Sequence, residues 1–313
     1  MPSVGIAAVA HALPERRVTL ETLETQGLLA GAASRLRGLG FDAVHVSDVD
    51  AGELALRAVR NLAGAHAFDP ERVDALFYAG AMPASHAAAN RGELLDGFSY
   101  PAARLQYEMG LLNATVTGVS QAGCIGLVRA VQLAADFLTA HPAARQVLAV
   151  STDVLPPGAP REILYNAISD GACAVLLGRD TPQNRILTWR NVTKGYYWDV
   201  RARDVEIVAA YFPTARTIVR ETLEAAGLHP DDIAWVLPQN VSRRSWEILF
   251  ELLELRRARL FDENIAAVGH VIAADNFINL SDAMSRQLLR TGDRLLLFNF
   301  GFGANWSCML LEH

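Results

Sequence analysis

Short apolar runs rich in Val, Leu and Phe alternate along this chain with longer stretches of helical periodicity, and no other feature restricts its fold as strongly. Apolar runs of this length are typical of strands buried on both faces, and their alternation with helices indicates an α/β protein. We predict strands over Gly5–Ala10, Ala75–Ala79, Ala114–Val119, Gln146–Ser151, Ala172–Leu177, Trp235–Leu237 and Arg294–Asn299. Helices are predicted over Asp50–Ala63, Gly126–Thr139, Pro213–Ala226, Trp246–Leu255 and Ile278–Leu289.

The chain also contains a weak internal repeat. Glu53–Tyr78 and Thr214–Leu237 share the order helix, proline-initiated turn with acidic residues, apolar strand. Asp170–Leu177 and Gly303–Leu311 share a glycine turn before an apolar strand. Similar segments of this kind also occur in α/β proteins without a duplication. The alternative that this chain contains no true repeat therefore stays open. The repeat predicts two related halves that share one layered core, residues 1–178 and 179–313.

Composition excludes several classes of function. The 313 residues carry 28 Lys+Arg against 34 Asp+Glu, a formal net charge of −6, whereas nucleic-acid binding needs a basic face to neutralise phosphates. No window reaches the roughly 18 uninterrupted apolar residues of a membrane span. The N-terminus lacks the basic and apolar stretches of a signal peptide. We therefore expect a cytoplasmic protein that binds neither nucleic acid nor membrane.

The three cysteines differ in their surroundings. They are far apart and form no C-x-x-C pair, so no disulfide framework and no metal site is expected. Cys173 and Cys308 lie within apolar strand patterns and are interpreted as inert core thiols. Cys124 instead follows a strand and a glycine, and opens an apolar helix. Because unpaired N–H groups and the helix dipole favour a thiolate there, Cys124 is a candidate nucleophile, although most buried cysteines are inert.

Polar residues in the second half could complete a site around this thiol. His270 follows a glycine before a predicted helix, and Gln239 and Asn240 follow a predicted strand. Loops at strand ends are where α/β folds collect reactive groups. Phe298–Gly303 is a glycine-bracketed turn that could offer backbone N–H groups to an oxyanion. Each of these residues could instead be structural. Together with Cys124, however, they supply the nucleophile, the acid/base group and the oxyanion donors that acyl transfer through a thioester requires.

Several segments resemble the thiolase superfamily, and specifically its β-ketoacyl-ACP synthase III branch. The resemblance implies an α/β protein with a five-layered α-β-α-β-α fold and two duplicated halves, usually a homodimer. It also implies a cysteine that accepts an acyl group from CoA or from the phosphopantetheine of an acyl carrier protein, without a permanently bound cofactor. The resemblance covers nearly the whole chain and is carried by Val4–Thr19, the segment around Cys124, Ser151–Leu155, Ser169–Ala172, Gly292–Leu297 and Phe300–Ser307.

The sequence departs from that family at two reactive positions. In the synthases a histidine and an asparagine hold the carbonyl of a malonyl thioester during decarboxylation. Here Gln239 stands at the histidine position of the family segment P-H-Q-A-N-x-R, and His270 stands at the asparagine position of G-N-T. The expected catalytic set is thus Cys124, Gln239 and His270, with the single imidazole as general base.

These departures favour an acyltransferase of secondary metabolism that passes the acyl group from Cys124 to a carbon, oxygen or nitrogen nucleophile. Three alternatives stay open. They are a decarboxylative synthase III, a non-catalytic partner within a heterodimer, and a thioester hydrolase.

The resemblance implies further contacts. The backbone N–H groups of Cys124 and Phe302 would form the oxyanion hole. Phe98 or Tyr100 would enter the partner's acyl pocket across a dimer. The adenine-binding residues of typical members have no clear match in residues 28–41, which leaves CoA and a carrier protein open as donors. The remaining predicted residues are Asn240 and Ser242 for the substrate pocket, and Arg243, Arg244, Arg256, Arg257 and Arg259 for an acidic carrier or simply as a solvated face.

Overall fold

A computed structural model describes residues 3–82 and 100–313. The strands are β1 (Val4–Ala12), β2 (Arg17–Thr19), β3 (Ala43–His45), β4 (Val73–Ala79), β5 (Thr115–Val119), β6 (Gln146–Asp153), β7 (Glu162–Ile163), β8 (Asn166–Ala167), β9 (Gly171–Arg179), β10 (Arg185–Thr193), β11 (Ile233–Pro238), β12 (Arg259–Leu260), β13 (Arg294–Gly301) and β14 (Asn305–Glu312). The α-helices are α1 (Leu20–Thr25), α2 (Ala33–Gly38), α3 (Ala51–Ala65), α4 (Pro101–Glu108), α5 (Gly126–Ala140), α6 (Asp204–Ala226), α7 (Arg243–Leu253), α8 (Glu263–Ala267) and α9 (Asp275–Ser285).

Ten of these strands form a sheet that repeats one strand order twice. The order is β5-β4-β6-β9-β1 in one half and β12-β11-β13-β14-β10 in the other. In each half the first two pairs are parallel and the next two antiparallel. Even a register shift recurs, between Ile6 and Ala8 in β1 and between Ile186 and Thr188 in β10. The duplication expected from the sequence is therefore confirmed, whereas a domain boundary after residue 178, near the end of β9, stays a prediction.

The helices complete five layers. α5 and α9 lie between the two half-sheets, where Leu127 and Phe277 are fully buried. α3 covers the outer face of the first half-sheet and buries Leu56. α6 and α7 cover the outer face of the second and bury Ile218 and Trp246. This arrangement confirms the predicted α-β-α-β-α architecture.

The core position of α5 also explains its composition. Gly123–Ala140 is apolar and long enough to cross a membrane, yet 56% of it is buried inside the protein, between the half-sheets. Within the described residues, this is the one segment with that property. Burial between two sheets therefore accounts for its apolar sequence.

All predicted strands and helices are present, with shifted ends. β10 was not predicted, because one of its faces is partly solvated and its apolar residues do not form a continuous run. α6 begins at Asp204, nine residues before the predicted start, and continues through Pro213. α9 begins at Asp275, three residues before its predicted start. The last shift matters most, since it moves a carboxylate from a loop to a helix that faces the candidate site.

Candidate active site

Cys124 lies where the chain turns from β5 into α5. A single 3₁₀ turn, Gly123–Ile125, precedes the first residue of α5. Gly123 has a φ of +56°, in the left-handed region that favours glycine. A Cβ atom at this position would also lie 3.1 Å from the backbone nitrogen of Phe302. The half-buried thiol is thus held at the head of a core helix, as predicted.

The turn Phe300–Gly303 between β13 and β14, here called the glycine hairpin, packs directly against Cys124. A Cβ atom on Gly301 would lie 2.8 Å from the backbone nitrogen of Cys124 and 2.9 Å from the carbonyl oxygen of Ala122. Real Cβ contacts are not this short, so any larger residue would force the two turns apart. The backbone of Phe302 therefore adjoins the Cys124 turn. Donation from Cys124 and Phe302 to an acyl oxygen stays a prediction.

The amide of Gln239 holds this hairpin in place. Its Nε2 donates to the carbonyl oxygen of Phe300 over 2.8 Å, and its Oε1 accepts the N–H of Phe300 over 3.0 Å. The residue is buried, and its own carbonyl oxygen accepts the indole N–H of Trp246. These bonds make Gln239 a residue that positions the glycine hairpin, while its predicted direct role in catalysis stays a prediction.

His270 is paired with a buried carboxylate. The distance from His270 Nδ1 to Asp275 Oδ2 is 2.6 Å, and the two side chains are 5% and 0% exposed. The Cys124 side chain lies close enough to the imidazole to raise its pKa. Because Nδ1 faces the carboxylate, Nε2 is the nitrogen left for the thiol. The three side chains stand in the order nucleophile, base and orienting carboxylate, which is that of a catalytic triad.

The charges in this triad reinforce one another. Burial opposes a charge on His270, but the Asp275 carboxylate and hydrogen bonds to Asp275 and Cys124 outweigh it and raise the pKa of the imidazole to about 10. The imidazolium form is therefore favoured at neutral pH. His270 thus carries a proton that it can deliver to a leaving group.

Asp275 was missed by sequence reasoning. Its Oδ1 accepts the N–H of Val271, and its Oδ2 accepts the N–H of Asn240, each over 2.7 Å. It also lies in the first turn of α9, where the helix dipole favours a negative charge. A carboxylate five residues after a candidate catalytic histidine, just before a predicted helix, was the signal that could have identified it.

Asn240 and Ser242, which were predicted for the substrate pocket, make side-chain hydrogen bonds within the protein. Asn240 is fully buried, and its side chain bonds to the carbonyl oxygen of Gly269 and to Asn279. Ser242 caps α7, where its Oγ accepts the N–H of Ser245. Both side chains therefore support the site through internal hydrogen bonds, and their place in a substrate pocket stays a prediction.

The residues predicted to reach across a dimer lie at the edge of the described chain. Phe98 lies outside the described residues. Tyr100 directly precedes α4 and is 67% exposed. Its entry into a partner's acyl pocket stays a prediction.

The arginines predicted to dock a carrier lie at the two ends of α7. Arg243 and Arg244 open α7 and pair with Asp262 and Glu247. The 11 residues of α7 separate the two ends of the helix by about 16 Å. Carrier docking by any of them stays a prediction. The other three follow the C-terminal end of α7: Arg256, Arg257 and Arg259.

A second buried carboxyl group near His270 was also missed. Asp153 ends β6, and its Oδ1 accepts the N–H groups of Ala81 and Met82 over 2.8 and 3.0 Å. Burial raises the pKa of this carboxyl to about 7, against the opposing effect of those hydrogen bonds and of the charge on His270. The thiol of Cys124 is bordered by a small apolar cluster: Ala81, Met82, Leu155, Ala159, Ile168 and Ile272.

Comparison with known proteins agrees with this geometry. A family model described as 3-oxoacyl-[acyl-carrier-protein] synthase III matches residues 120–195, and the model of the C-terminal part of the same synthase matches residues 223–313. Together they match slightly more than half of the chain. The chain belongs to the β-ketoacyl-ACP synthase III branch of the thiolase superfamily.

Relatives and solved structures extend the match to nearly the full length. The β-ketoacyl-ACP synthase III of Geobacillus kaustophilus is 25% identical over 98% of each chain. The crystal structure of 3-oxoacyl-ACP synthase III from Aquifex aeolicus has a TM-score of 0.84 at 22% identity, and covers 99% of this chain and 100% of that one. The acyltransferase ChlB3 has a TM-score of 0.82 at 22% identity, and covers 99% and 98%.

The family is one of acyl-transferring enzymes. Synthase III enzymes transfer acyl groups from thioesters of CoA or acyl carrier protein and hold no permanent cofactor. Within the described ranges, no group of three or more His, Cys, Asp or Glu side chains could hold a metal ion.

Proposed function

We propose that this synthase III homologue is an acyltransferase that forms a thioester on Cys124 and passes the acyl group to a second nucleophile without decarboxylation. The observation that carries the proposal is the buried His270–Asp275 pair beside the thiol. This pair can both generate a thiolate and later remove a proton from an acceptor. Both half-reactions of an acyl transfer need such a base.

In the first half-reaction the Cys124 thiolate attacks the carbonyl carbon of the donor thioester. The negative charge that develops on the carbonyl oxygen lies near the touching turns of Cys124 and Phe302, whose N–H groups would stabilise it. When the tetrahedral intermediate collapses, the pantetheine thiolate leaves and takes the proton held by His270. The products are an acyl-Cys124 thioester and a neutral imidazole.

In the second half-reaction the neutral imidazole acts as a base. Its Nε2 removes a proton from the acceptor as the acceptor attacks the thioester carbon. Cys124 leaves as a thiolate, which restores the starting ion pair with the protonated His270. Asp275 keeps the ring in one tautomer and orientation throughout, because its carboxylate accepts a hydrogen bond from the N–H at Nδ1.

Two observations favour this reaction over decarboxylative condensation. The amide of Gln239, at the position of the family's histidine, is engaged with the backbone of Phe300. The remaining imidazole, His270, is bound to Asp275 and is thus configured as a base. The proposal of a role in secondary metabolism rests on the resemblance and on these altered residues, and a cytoplasmic location stays a prediction.

Intact-protein mass spectrometry with panels of acyl-CoA and acyl-ACP donors tests the proposal. We expect one added acyl mass on the wild-type protein and none on Cys124→Ala. Cys173→Ala is the matched control and should acylate normally, because that thiol is fully buried and its pKa is raised by burial.

The other outcomes identify the alternatives. No adduct with any donor would favour the non-catalytic partner. An adduct that decays to free acid without an acceptor would indicate a hydrolase, and consumption of malonyl-ACP with release of CO₂ would indicate a decarboxylative synthase.

We also propose a homodimer that forms through β5, the edge strand of the sheet within the described residues. β5 ends the strand order of the sheet, and four of its five residues are exposed. Beside it, Tyr107 and Leu112 are 77% and 72% exposed. An exposed edge strand flanked by apolar side chains favours pairing with a second copy about a two-fold axis.

Analytical ultracentrifugation tests the dimer. The wild-type chain should sediment as twice its mass of 33.9 kDa, and Tyr107→Glu with Leu112→Glu should give the monomer. Trp198→Glu removes an equally exposed aromatic elsewhere and should leave the dimer intact. A monomeric wild-type protein at micromolar concentration would contradict the proposal.

A further inference from the structure

A head-to-tail chain of three side-chain amides lies behind the triad. Asn264 Nδ2 donates to Asn279 Oδ1 over 2.9 Å. Asn279 Nδ2 donates to Asn240 Oδ1, and Asn240 Nδ2 donates to the carbonyl oxygen of Gly269, each over 2.9 Å. Asn240 and Asn279 are fully buried, and Asn264 nearly so. A buried polar chain of this length within an apolar core calls for a specific reason.

The direction of every amide in this chain is fixed by an acceptor that cannot donate. Asn240 faces the carbonyl oxygen of Gly269, and Asn279 Nδ2 also donates to the carbonyl oxygen of Pro238 over 2.9 Å. Asn264 Nδ2 also donates to the carboxylate of Asp282 over 2.7 Å. Turning any one amide would place its oxygen against another oxygen, so the chain has one arrangement.

This chain meets the triad at Asn240, in two places. The N–H of Asn240 donates to Asp275 Oδ2, the same atom that accepts His270 Nδ1. The side chain of Asn240 holds the carbonyl group of Gly269, the residue directly before His270. A shift of Asn240 would therefore disturb the carboxylate and the imidazole together.

We propose that Asn279 is a positioning residue of the triad that acts through Asn240. It holds the Asn240 amide and the end of β11 in one bond network, and so fixes the distance between Asp275 and His270. This inference rests on the proposed function in one respect only, namely that Cys124 and His270 form the reactive pair.

The matched comparison is Asn276, which lies on the same helix and is equally buried. Its Nδ2 donates to the carbonyl oxygen of Leu237 over 2.7 Å, so it also ties α9 to the end of β11. No hydrogen bond within the described residues connects its side chain to Asp275, His270 or Asn240. Loss of stability alone should thus affect Asn276 and Asn279 variants alike.

The experiment measures the rate of Cys124 alkylation by iodoacetamide from pH 5 to 9 in the full-length protein. The reagent reports on the thiolate, and the other two thiols are fully buried. In Asn279→Leu we expect the alkylation rate at pH 6 to fall about tenfold and the pH profile to move to higher pH. The reason is that a displaced Asp275 carboxylate stabilises the protonated form of His270 less. Asn276→Leu should keep the wild-type pH profile, even if its melting temperature falls as far as that of Asn279→Leu.

Two outcomes overturn the inference: a wild-type profile for Asn279→Leu, or an equal shift in both variants. If Asn279→Leu does not fold, Asn264→Ala breaks the next bond of the chain, nearer the surface, and should shift the profile in the same direction by a smaller amount. Alkylation needs no acyl donor. A shifted profile in a protein that accepts no donor would therefore support the positioning role while contradicting the proposed function.

Discussion

Replacing Asp275 with Asn should slow acylation of Cys124 by about 10²–10⁴-fold. The amide keeps the shape of the carboxylate and can still accept the N–H of Val271. It removes the charge that holds a proton on His270, so burial then lowers the pKa of the imidazole instead of being outweighed. An amide N–H facing Nδ1 would also favour the tautomer whose Nε2 carries a proton and cannot accept one from the thiol.

Single-turnover acylation, followed by quenching and intact-mass analysis, measures this effect. The folded state of Asp275→Asn is checked by its stability at two pH values. His270 has a pKa raised above its ordinary value of 6.5, so its pairing stabilises the wild-type protein fully below pH 6.5, and this stabilisation is lost as the pH rises through about 10. The variant should lose that part of the pH dependence. An acylation rate within threefold of wild type would show that Asp275 is not part of a triad.

The fold was largely predictable because its signals are local and repeated. Buried strands such as β6 and β9 are continuous apolar runs, and the core helix α5 has a clear apolar periodicity. β10 lacks such a run, since one side of it is partly solvated. In the sequence, the duplication is indicated only by weak similarity between a few segments. The strand order and the register shift that the two halves share establish it, and both depend on pairing between strands that are distant in sequence.

Individual reactive residues could be predicted where the residue type and its neighbours in sequence indicate a role. Cys124 and His270 each follow a glycine at the end of a strand or loop. The role of Gln239 was harder to predict, because a residue type does not reveal where an amide donates its hydrogen bonds. Asp275 was missed because placing the start of α9 three residues late left it in a loop. Side-chain partners across α9, β11 and β13 depend on tertiary packing, which periodicity does not encode.

Replacing His270 with Ala should slow acyl transfer by about 10²–10⁴-fold, the usual contribution of a general base. The two half-reactions should respond differently to pH. Raising the pH ionises the Cys124 thiol without help, so acylation of His270→Ala should partly recover. Transfer to the acceptor should stay slow, because the acceptor has lost the group that removes its proton.

Separate measurement of the two steps, by loading the variant at high pH and then adding acceptor at neutral pH, tests this division of roles. His141→Ala is a suitable control, since His141 is exposed at the far end of α5. Transfer at the wild-type rate from acylated His270→Ala would assign the base to another group. Asp153 would then be the first candidate, because its carboxyl is buried beside the apolar cluster that borders the thiol, and its pKa of about 7 allows it to accept a proton near neutral pH.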